Sequence, residues 1–122
     1  MSKTSPWDHL PLTDLSYQVL LCLANGPAHG YAILQRINER TSGRISPDTG
    51  TLYTALRRLD RDGLIGHSGE PKTRGRRGRS YDLTEEGRVV LRLESRRLSE
   101  LVREARELEL LDGTEPAPGL TS

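Results

Sequence analysis

The densest cluster of chemically active side chains in this sequence is a run of cations within a glycine-rich stretch. Guanidinium and ammonium groups at this density bind phosphate oxygens, and the intervening glycines let the backbone follow a nucleic-acid strand or enter a narrow groove. Arginine–glycine stretches also occur in RNA-binding segments that tolerate many sequences, so the cluster alone does not separate DNA from RNA or from a solvated turn. Its five basic residues, which fall within eight positions, are Lys72, Arg74, Arg76, Arg77 and Arg79.

The charge of the chain is segregated, although its formal net charge is only +1. Residues 57–80 carry eight basic and three acidic groups, a net charge of +5, whereas residues 1–56 are balanced and residues 81–122 carry a net charge of −4. This asymmetry predicts a polyanionic partner for the middle of the chain and a different kind of contact for its end.

No group of residues has the spacing of a catalytic or metal site. His9, His29 and His67 are scattered, and the single cysteine, Cys22, lies in an apolar run where burial is expected. We therefore expect neither an enzyme nor a bound metal or cofactor. No apolar stretch approaches the roughly 20 residues of a membrane span, and the N-terminus lacks a signal-peptide pattern. A cytoplasmic protein without membrane contact is expected.

The elements that position the cations are predicted to be three helices, the first with Thr13 as its N-cap, followed by a two-stranded antiparallel β-ribbon. Strands at 64–68 and 80–83 flank the basic loop, which makes the loop the tip of the ribbon. This order predicts a mainly α fold, a winged helix-turn-helix domain followed by one long helix. The predicted segments are an N-terminal arm at 1–11, the winged-helix domain at 12–84, a C-terminal dimerisation helix at 85–111 and a disordered tail at 112–122.

The third helix is predicted to carry an apolar stripe on one side and polar and basic residues on the other. Ser46 is its predicted N-cap, and Pro47 at the first helical position needs no amide donor. The opposite face can enter a DNA major groove, which is about 12 Å wide. Leu52, Leu56 and Leu59 form the predicted inward stripe, and the predicted DNA-contacting residues are Ser46, Thr49, Gly50, Thr51, Tyr53, Thr54, Arg57 and Arg58, joined by His29 and the five cations of the loop.

Three ring-bearing side chains near this surface have open roles. Tyr53 could direct its hydroxyl toward a phosphate or serve only in core packing. His29, at the start of the second helix (about His29 to Arg40), could contact a phosphate or simply begin the helix. Tyr31 is predicted to lie in the core.

The long C-terminal helix, capped by Thr84, carries an apolar stripe that so small a domain cannot bury. Packing against the same helix of a second copy would remove this stripe from water, and a helix folded back on its own domain is the alternative. Glu94 interrupts the stripe. The predicted dimer residues are Leu91, Leu98, Leu101, Val102, Ala105 and Leu108.

Four short blocks resemble the signature of the PadR family of bacterial transcriptional regulators. They are His29-Gly30-Tyr31, Gly50-Thr51-Leu52-Tyr53, the run from Arg58 to Ile65, and the run from Tyr81 to Gly87. The resemblance extends over about residues 12–111 and implies a dimeric winged-helix repressor that binds a palindromic operator and releases it when an effector binds. The single long C-terminal helix is similar to that of the short-form members.

Two features depart from what the resemblance implies. Family members commonly have proline after the tyrosine of the third-helix block, where this chain has Thr54. In some short-form relatives, aromatic residues between the long helices stack on planar drugs, but this long helix contains no aromatic residue. Trp7 in the N-terminal arm is the remaining candidate for an effector contact.

Other interpretations of the same pattern remain open. The domain could belong to another winged-helix regulator family, of the MarR or ArsR type, although the metal or thiol ligands usual for the ArsR type are missing. It could also be a protein-interaction or small-molecule-binding module without a specific DNA role. The net charge of +5 over residues 57–80 favours DNA, because a protein-interaction module has no need of it.

Overall fold

The computed structural model describes residues 5–69 and 78–111. In these residues the chain forms four α-helices and three short strands. A 3₁₀ helix at Pro6–His9 comes first. The helices are α1 (Asp14–Ala24), α2 (Gly30–Arg40), α3 (Thr49–Arg61) and α4 (Glu85–Glu107), and the strands are β1 (Ala28–His29), β2 (Ile65–Ser68) and β3 (Ser80–Leu83). This confirms the predicted mainly α winged helix-turn-helix fold with a long C-terminal helix.

Two of the three predicted helix caps are confirmed, and the cap of α3 is different. The hydroxyls of Thr13 and Thr84 accept hydrogen bonds from backbone amides in the first turns of α1 and α4. At α3, however, the carboxylate of Asp48 accepts the amide of Thr51 at 2.7 Å, so the helix begins at Thr49. The prediction that Ser46 caps this helix was wrong, since an ionised carboxylate two residues later makes the stronger, charge-assisted bond.

The sheet has a third strand that the sequence did not reveal. β1 pairs antiparallel with β3 through Ala28 opposite Tyr81 and His29 opposite Ser80. β2 pairs with the other edge of β3, so the strand order is β1-β3-β2. The predicted two-stranded ribbon, β2 and β3 with the loop between them, is called the wing. Its pairing with β1 joins the wing to the start of α2 and holds it against the helical part of the domain.

The core lies between α1, the inner faces of α2 and α3, the sheet and the first turns of α4. Cys22 is buried within it, as predicted. Tyr31 is not: its side chain is 60% exposed. On a helix with 100° per residue, Tyr31 lies about 160° from Ile33, which faces the core. The buried apolar residues include Val19, Leu20, Leu23, Ile33, Ile37, Leu52, Leu56, Leu59, Leu64, Ile65, Tyr81, Val90 and Leu91.

The four family-like blocks pack against one another in pairs. In each pair, a glycine of one block lies in close contact with a residue of the other. A Cβ atom at Gly30 would collide with the hydroxyl of Tyr53, so the first block packs directly on the second. A Cβ atom at Gly87 would collide with the backbone carbonyl of Leu64, so the fourth block packs on the third. The third and fourth blocks also share a hydrogen bond of 2.7 Å from the Thr84 hydroxyl to the carbonyl of Gly63.

The long helix is shorter than predicted. α4 spans 23 residues, about 35 Å, and ends at Glu107 instead of continuing to 111. Glu109, just beyond it, has a positive φ of 63°, which is incompatible with a continuing α-helix. The predicted tail at 112–122, together with Lys72, Arg74, Arg76 and Arg77 of the basic loop, lies outside the described residues.

Candidate nucleic-acid interface

The outer face of α3 is a continuous polar and basic surface. Its side chains are exposed, whereas Leu52, Leu56 and Leu59 on the opposite side are buried, as the sequence predicted. Arg57 donates a hydrogen bond of 3.3 Å to the hydroxyl of Thr54, so these two side chains lie together. The exposed residues of this face are Thr49, Gly50, Thr51, Thr54, Arg57 and Arg58.

The N-terminal end of α3 carries one fixed negative charge. Hydrogen bonds from the backbone and side chain of Thr51 hold the pKa of Asp48 below its ordinary value. The carboxylate is therefore ionised at neutral pH, where it satisfies the helix start and interacts favourably with the helix dipole. A DNA backbone would be repelled by the Asp48 carboxylate at this end of α3. It would be attracted by the cations of Arg57 and Arg58 further along the helix.

Tyr53 and His29 lie at the junction of α3 with the start of α2. The hydroxyl of Tyr53 packs against Gly30, which gives this half-buried side chain a structural contact. His29 is the N-cap residue of α2, and its side chain makes no capping hydrogen bond. Its backbone pairs with Ser80 of β3. Tyr53 and His29, which were predicted to contact DNA, therefore lie at the edge of the α3 surface.

A cleft of about 630 Å³ separates the first turns of α1 and α3. Thr13 and Ser16 line it on one side, and Thr51, Thr54 and Arg58 line it on the other. Thr13 is exposed on the α1 side of this cleft, whereas Ser16 is buried, at 7% exposure. Thr13 and Ser16 were not among the predicted contacts, because a helix-capping threonine and a serine three residues later have no pattern that distinguishes binding from capping.

Side-chain contacts of His67 join β2 to α3 and to β3. Nδ1 of His67 on β2 lies 2.6 Å from Oδ2 of Asp60 on α3. The ring centroids of His67 and Tyr81 are 6.4 Å apart, and the two ring planes are tilted by 55°. Burial raises the pKa of Tyr81, and neighbouring Tyr53 adds to this effect while Arg79 opposes it. Asp60 and His67 were not predicted as functional residues.

Arg79 sits at the foot of the wing. Its side chain is half-buried, and its Nε atom is buried without a hydrogen-bond partner among the described residues. Arg79 therefore differs from the exposed Arg57 and Arg58, because part of its guanidinium group faces the protein. The four other predicted cations of the loop lie outside the described residues.

The predicted dimer residues fall into two groups. Leu91 is buried in the core of its own chain, so it is not available to a second copy. Leu98 and Ala105 are half-buried, and Leu101, Val102 and Leu108 are exposed. Trp7, the predicted effector contact, lies in the 3₁₀ helix and is 63% exposed.

The interruption of the stripe at Glu94 is a buried ionic contact. Glu94 is 1% exposed and accepts two hydrogen bonds from Arg97, at 2.7 and 2.9 Å. Its Oε2 also accepts the backbone amide of Leu12 at 3.0 Å. These bonds, led by that from Arg97, lower the pKa of Glu94 against the opposing effect of burial. Glu94 thus fastens the segment before α1 to α4.

The described residues contain no helix long and apolar enough to cross a membrane. Within the same ranges, no three histidine, cysteine or acidic side chains lie close enough together to hold a metal ion.

The sequence profile of the PadR-like family of transcriptional regulators matches residues 19–93. The chain belongs to this family. The matched span contains all four signature blocks and runs from α1 into α4, so the resemblance suggested by those blocks is confirmed. This family is one of transcriptional regulators and not of enzymes.

Two individual relatives match over most of the chain, and one of them is named as a transcriptional regulator. The transcriptional regulator Rv3488 of Mycobacterium tuberculosis is 41% identical over 81 residues, which are 66% of this chain and 72% of that protein. A 37.1 kDa protein of transposon TN4556 from Streptomyces fradiae is 38% identical over 88 residues. That match covers 72% of this chain but 24% of the larger protein, so this chain corresponds to about a quarter of its length.

The fold is also similar to that of PadR from Bacillus subtilis, whose structure was solved in complex with operator DNA. The TM-score is 0.58 at 21% sequence identity, and the match covers 92% of this chain and 54% of the other. Such a likeness supports the winged-helix fold assigned above.

Proposed function

We propose that this PadR-family protein is a transcriptional repressor that binds a palindromic DNA operator as a homodimer and is released by a small-molecule effector. The observation that carries the proposal is the outer face of α3, where exposed hydroxyls and arginines lie over a fully buried leucine stripe. We call α3 the recognition helix. A rigid helix with this face suits the major groove, where base edges present distinct donors and acceptors.

Within this proposal, the recognition helix and the wing have different tasks. Thr51 and Thr54 are placed to read base edges, with the Thr54 methyl and hydroxyl both available on the exposed face. Arg57, Arg58 and the wing cations bind phosphates and fix the position of the domain on the duplex. The operator complex of the Bacillus subtilis relative supports DNA as the partner of this fold.

Exposed apolar residues at the C-terminal end of α4 and at its C-cap support a homodimer. Leu101, Val102 and Leu108 have no cover in the described chain and are 50%, 43% and 71% exposed. Pairing with a second copy would bury them and place two recognition helices about one DNA turn, roughly 34 Å, apart. That geometry requires a palindromic site. We place the complex in the cytoplasm, with the DNA.

Effector release is proposed to involve Trp7. Its exposed indole ring offers a flat surface for a planar ligand. The 3₁₀ helix that carries it packs on α4, to which Leu12 is fastened through Glu94. A ligand on Trp7 would therefore act next to the proposed dimer contact. Two measurements test this part of the proposal: quenching of the single tryptophan, Trp7, by planar compounds, and loss of their binding to Trp7→Ala in calorimetry.

The test of DNA binding is fluorescence anisotropy with a labelled duplex from upstream of the gene, repeated over a salt series. Specific binding should weaken steeply as salt rises, because phosphate contacts release counterions. The triple variant Arg74→Ala, Arg76→Ala, Arg77→Ala should flatten the slope of log K against log salt by up to about three. Equal affinity for the upstream duplex and a scrambled duplex would contradict the proposal.

A further inference from the structure

A direct side-chain hydrogen bond connects the recognition helix to the wing. Nδ1 of His67 lies 2.6 Å from Oδ2 of Asp60. Asp60 belongs to the last turn of α3, and His67 is the third residue of β2. Neither residue belongs to the predicted or proposed DNA contacts. The two side chains are 32% and 35% exposed, so solvent does not fully surround the bond.

The same histidine reaches the second wing strand. His67 stands opposite Tyr81 in the β2–β3 register, and their rings are in contact at 6.4 Å. Tyr81 is buried, at 6% exposure, and belongs to the core. One imidazole ring therefore touches the recognition helix on one side and the central strand of the sheet on the other.

The position of the bond along the strand gives it leverage over the wing. The backbone connection between α3 and β2 is a short turn at Gly63, held by a hydrogen bond from the Leu64 amide to the carbonyl of Leu59. His67 lies three residues beyond Leu64, about 10 Å further along an extended strand. A contact at that distance restrains the edge of the ribbon that faces α3, whereas the pairing of β1 with Ser80 and Tyr81 restrains its other edge.

We propose that Asp60 and His67 are a positioning pair that sets the angle between the recognition helix and the wing, and thereby the affinity for the operator. The inference rests on the proposed DNA-binding function. Both parts of the interface contact one duplex, so a wing free to swing engages the backbone in only a fraction of its conformations. Operator affinity falls by that fraction.

The charge of Asp60 makes the proposal sharply testable. A carboxylate near a phosphate backbone repels it, so a purely electrostatic role predicts that removing Asp60 strengthens DNA binding. The positioning role predicts that removing Asp60 weakens it. Asp62, two residues further along the chain and also acidic, is a matched control. Its carboxylate contacts Arg61 at 3.9 Å, and within residues 5–69 and 78–111 it makes no side-chain bond to β2 or β3.

The experiment measures the operator Kd of the full chain with Asp60→Ala, His67→Ala, both changes together, His67→Asn and Asp62→Ala. Each single removal should weaken binding about fivefold, the effect of one lost hydrogen bond. The double variant should be no weaker than the single variants, because the two residues act through one contact. His67→Asn, whose amide can replace Nδ1, should stay within about twofold of the wild type, and Asp62→Ala should not weaken binding.

Hydrogen exchange of the free protein separates this inference from the function it rests on. His67→Ala should speed exchange of the β2 and β3 amides and leave α1 unchanged. Unchanged exchange, tighter binding by Asp60→Ala, or a double variant as weak as the product of the two single effects would overturn the positioning pair. A wild-type protein that shows no preference for the operator would instead overturn the proposed function, while the exchange result still decides whether the pair holds the wing.

Discussion

The two halves of α4 differ in the burial of their apolar side chains. In the first half, residues 85–97, Val90 and Leu91 are buried against the rest of the domain, and even Glu94 is buried. In the second half, residues 98–107, Leu101 and Val102 are 50% and 43% exposed, and Leu108 at the C-cap is 71% exposed. One continuous helix therefore has one half inside the domain and one half outside it.

This difference shows that one hydrophobic pattern can serve two purposes. The first half completes the core, and Glu94 anchors the segment before α1 to it through the amide of Leu12. The second half extends past the domain with an apolar stripe for which the described chain offers no cover. In the proposed dimer, the first half stabilises each chain, and the second half joins the two chains. The same kind of substitution in each half should therefore change different quantities.

Leu91→Ala is expected to have the largest effect. Removing a buried leucine should lower the free energy of unfolding by about 3 kcal/mol. The matched change, Leu101→Ala, removes the same atoms from an exposed site and should act mainly on dimer dissociation. Thermal melts at several protein concentrations measure both. A loss of stability for Leu101→Ala as large as that for Leu91→Ala, and independent of concentration, would contradict the division between the halves.

Leu101→Glu should break the dimer while each chain stays folded. Burying an unpaired carboxylate in an apolar contact is strongly unfavourable, so the dimer dissociation constant should rise by about 100-fold or more. Ser99→Glu adds the same charge on the same turn of α4 but away from the stripe, and should leave the dimer intact. Light scattering measures the mass of both variants. An intact Leu101→Glu dimer would remove α4 from the interface.

Glu94→Ala compared with Glu100→Ala tests the ionic contacts of the two halves. Each glutamate pairs with an arginine three residues later, but Glu94 is buried and Glu100 is exposed. Loss of Glu94 leaves the Leu12 amide and Arg97 without their acceptor, and should lower the free energy of unfolding by about 2 kcal/mol. Glu100→Ala should change it by less than about 0.5 kcal/mol. Chemical denaturation of the two variants measures the difference.

The contribution of Glu94 should also depend on pH in a defined direction. The pKa of Glu94 is lowered in the folded protein. Its stabilising effect is therefore fully present above the ordinary pKa of a glutamate and is lost as the pH falls through the lowered folded pKa. The stability difference between the wild type and Glu94→Gln should shrink in acid. A difference that grows as the pH falls would contradict the sign of the shift.

Local signals in the sequence predicted most of the helical framework. Thr13 and Thr84 were recognisable caps because each precedes an amphipathic run, and the leucine spacing of α3 correctly gave its buried side. The start of α3 was misplaced because Ser46 and Asp48 are both good caps. Only the folded chain selects Asp48, whose carboxylate reaches the amide of Thr51.

Features that depend on distant contacts could not be predicted. β1 has two residues, too few for any alternating pattern, and exists because β3 pairs with it. Glu94 looked like a gap in an apolar stripe, since its partner Leu12 is 82 positions away. The Asp60–His67 bond likewise joins residues that no motif connects. The exposed face of α3 was predicted from the sequence because the helix period alone separates it from the buried leucine stripe.

The central claim is that two copies of this chain bind one palindromic operator. The most direct test is the mass, by light scattering, of the complex with a single palindromic duplex from upstream of the gene. We expect one duplex carrying two chains of 13.6 kDa each, and no such complex with a scrambled duplex. One chain per duplex, or equal binding to both duplexes, would contradict it.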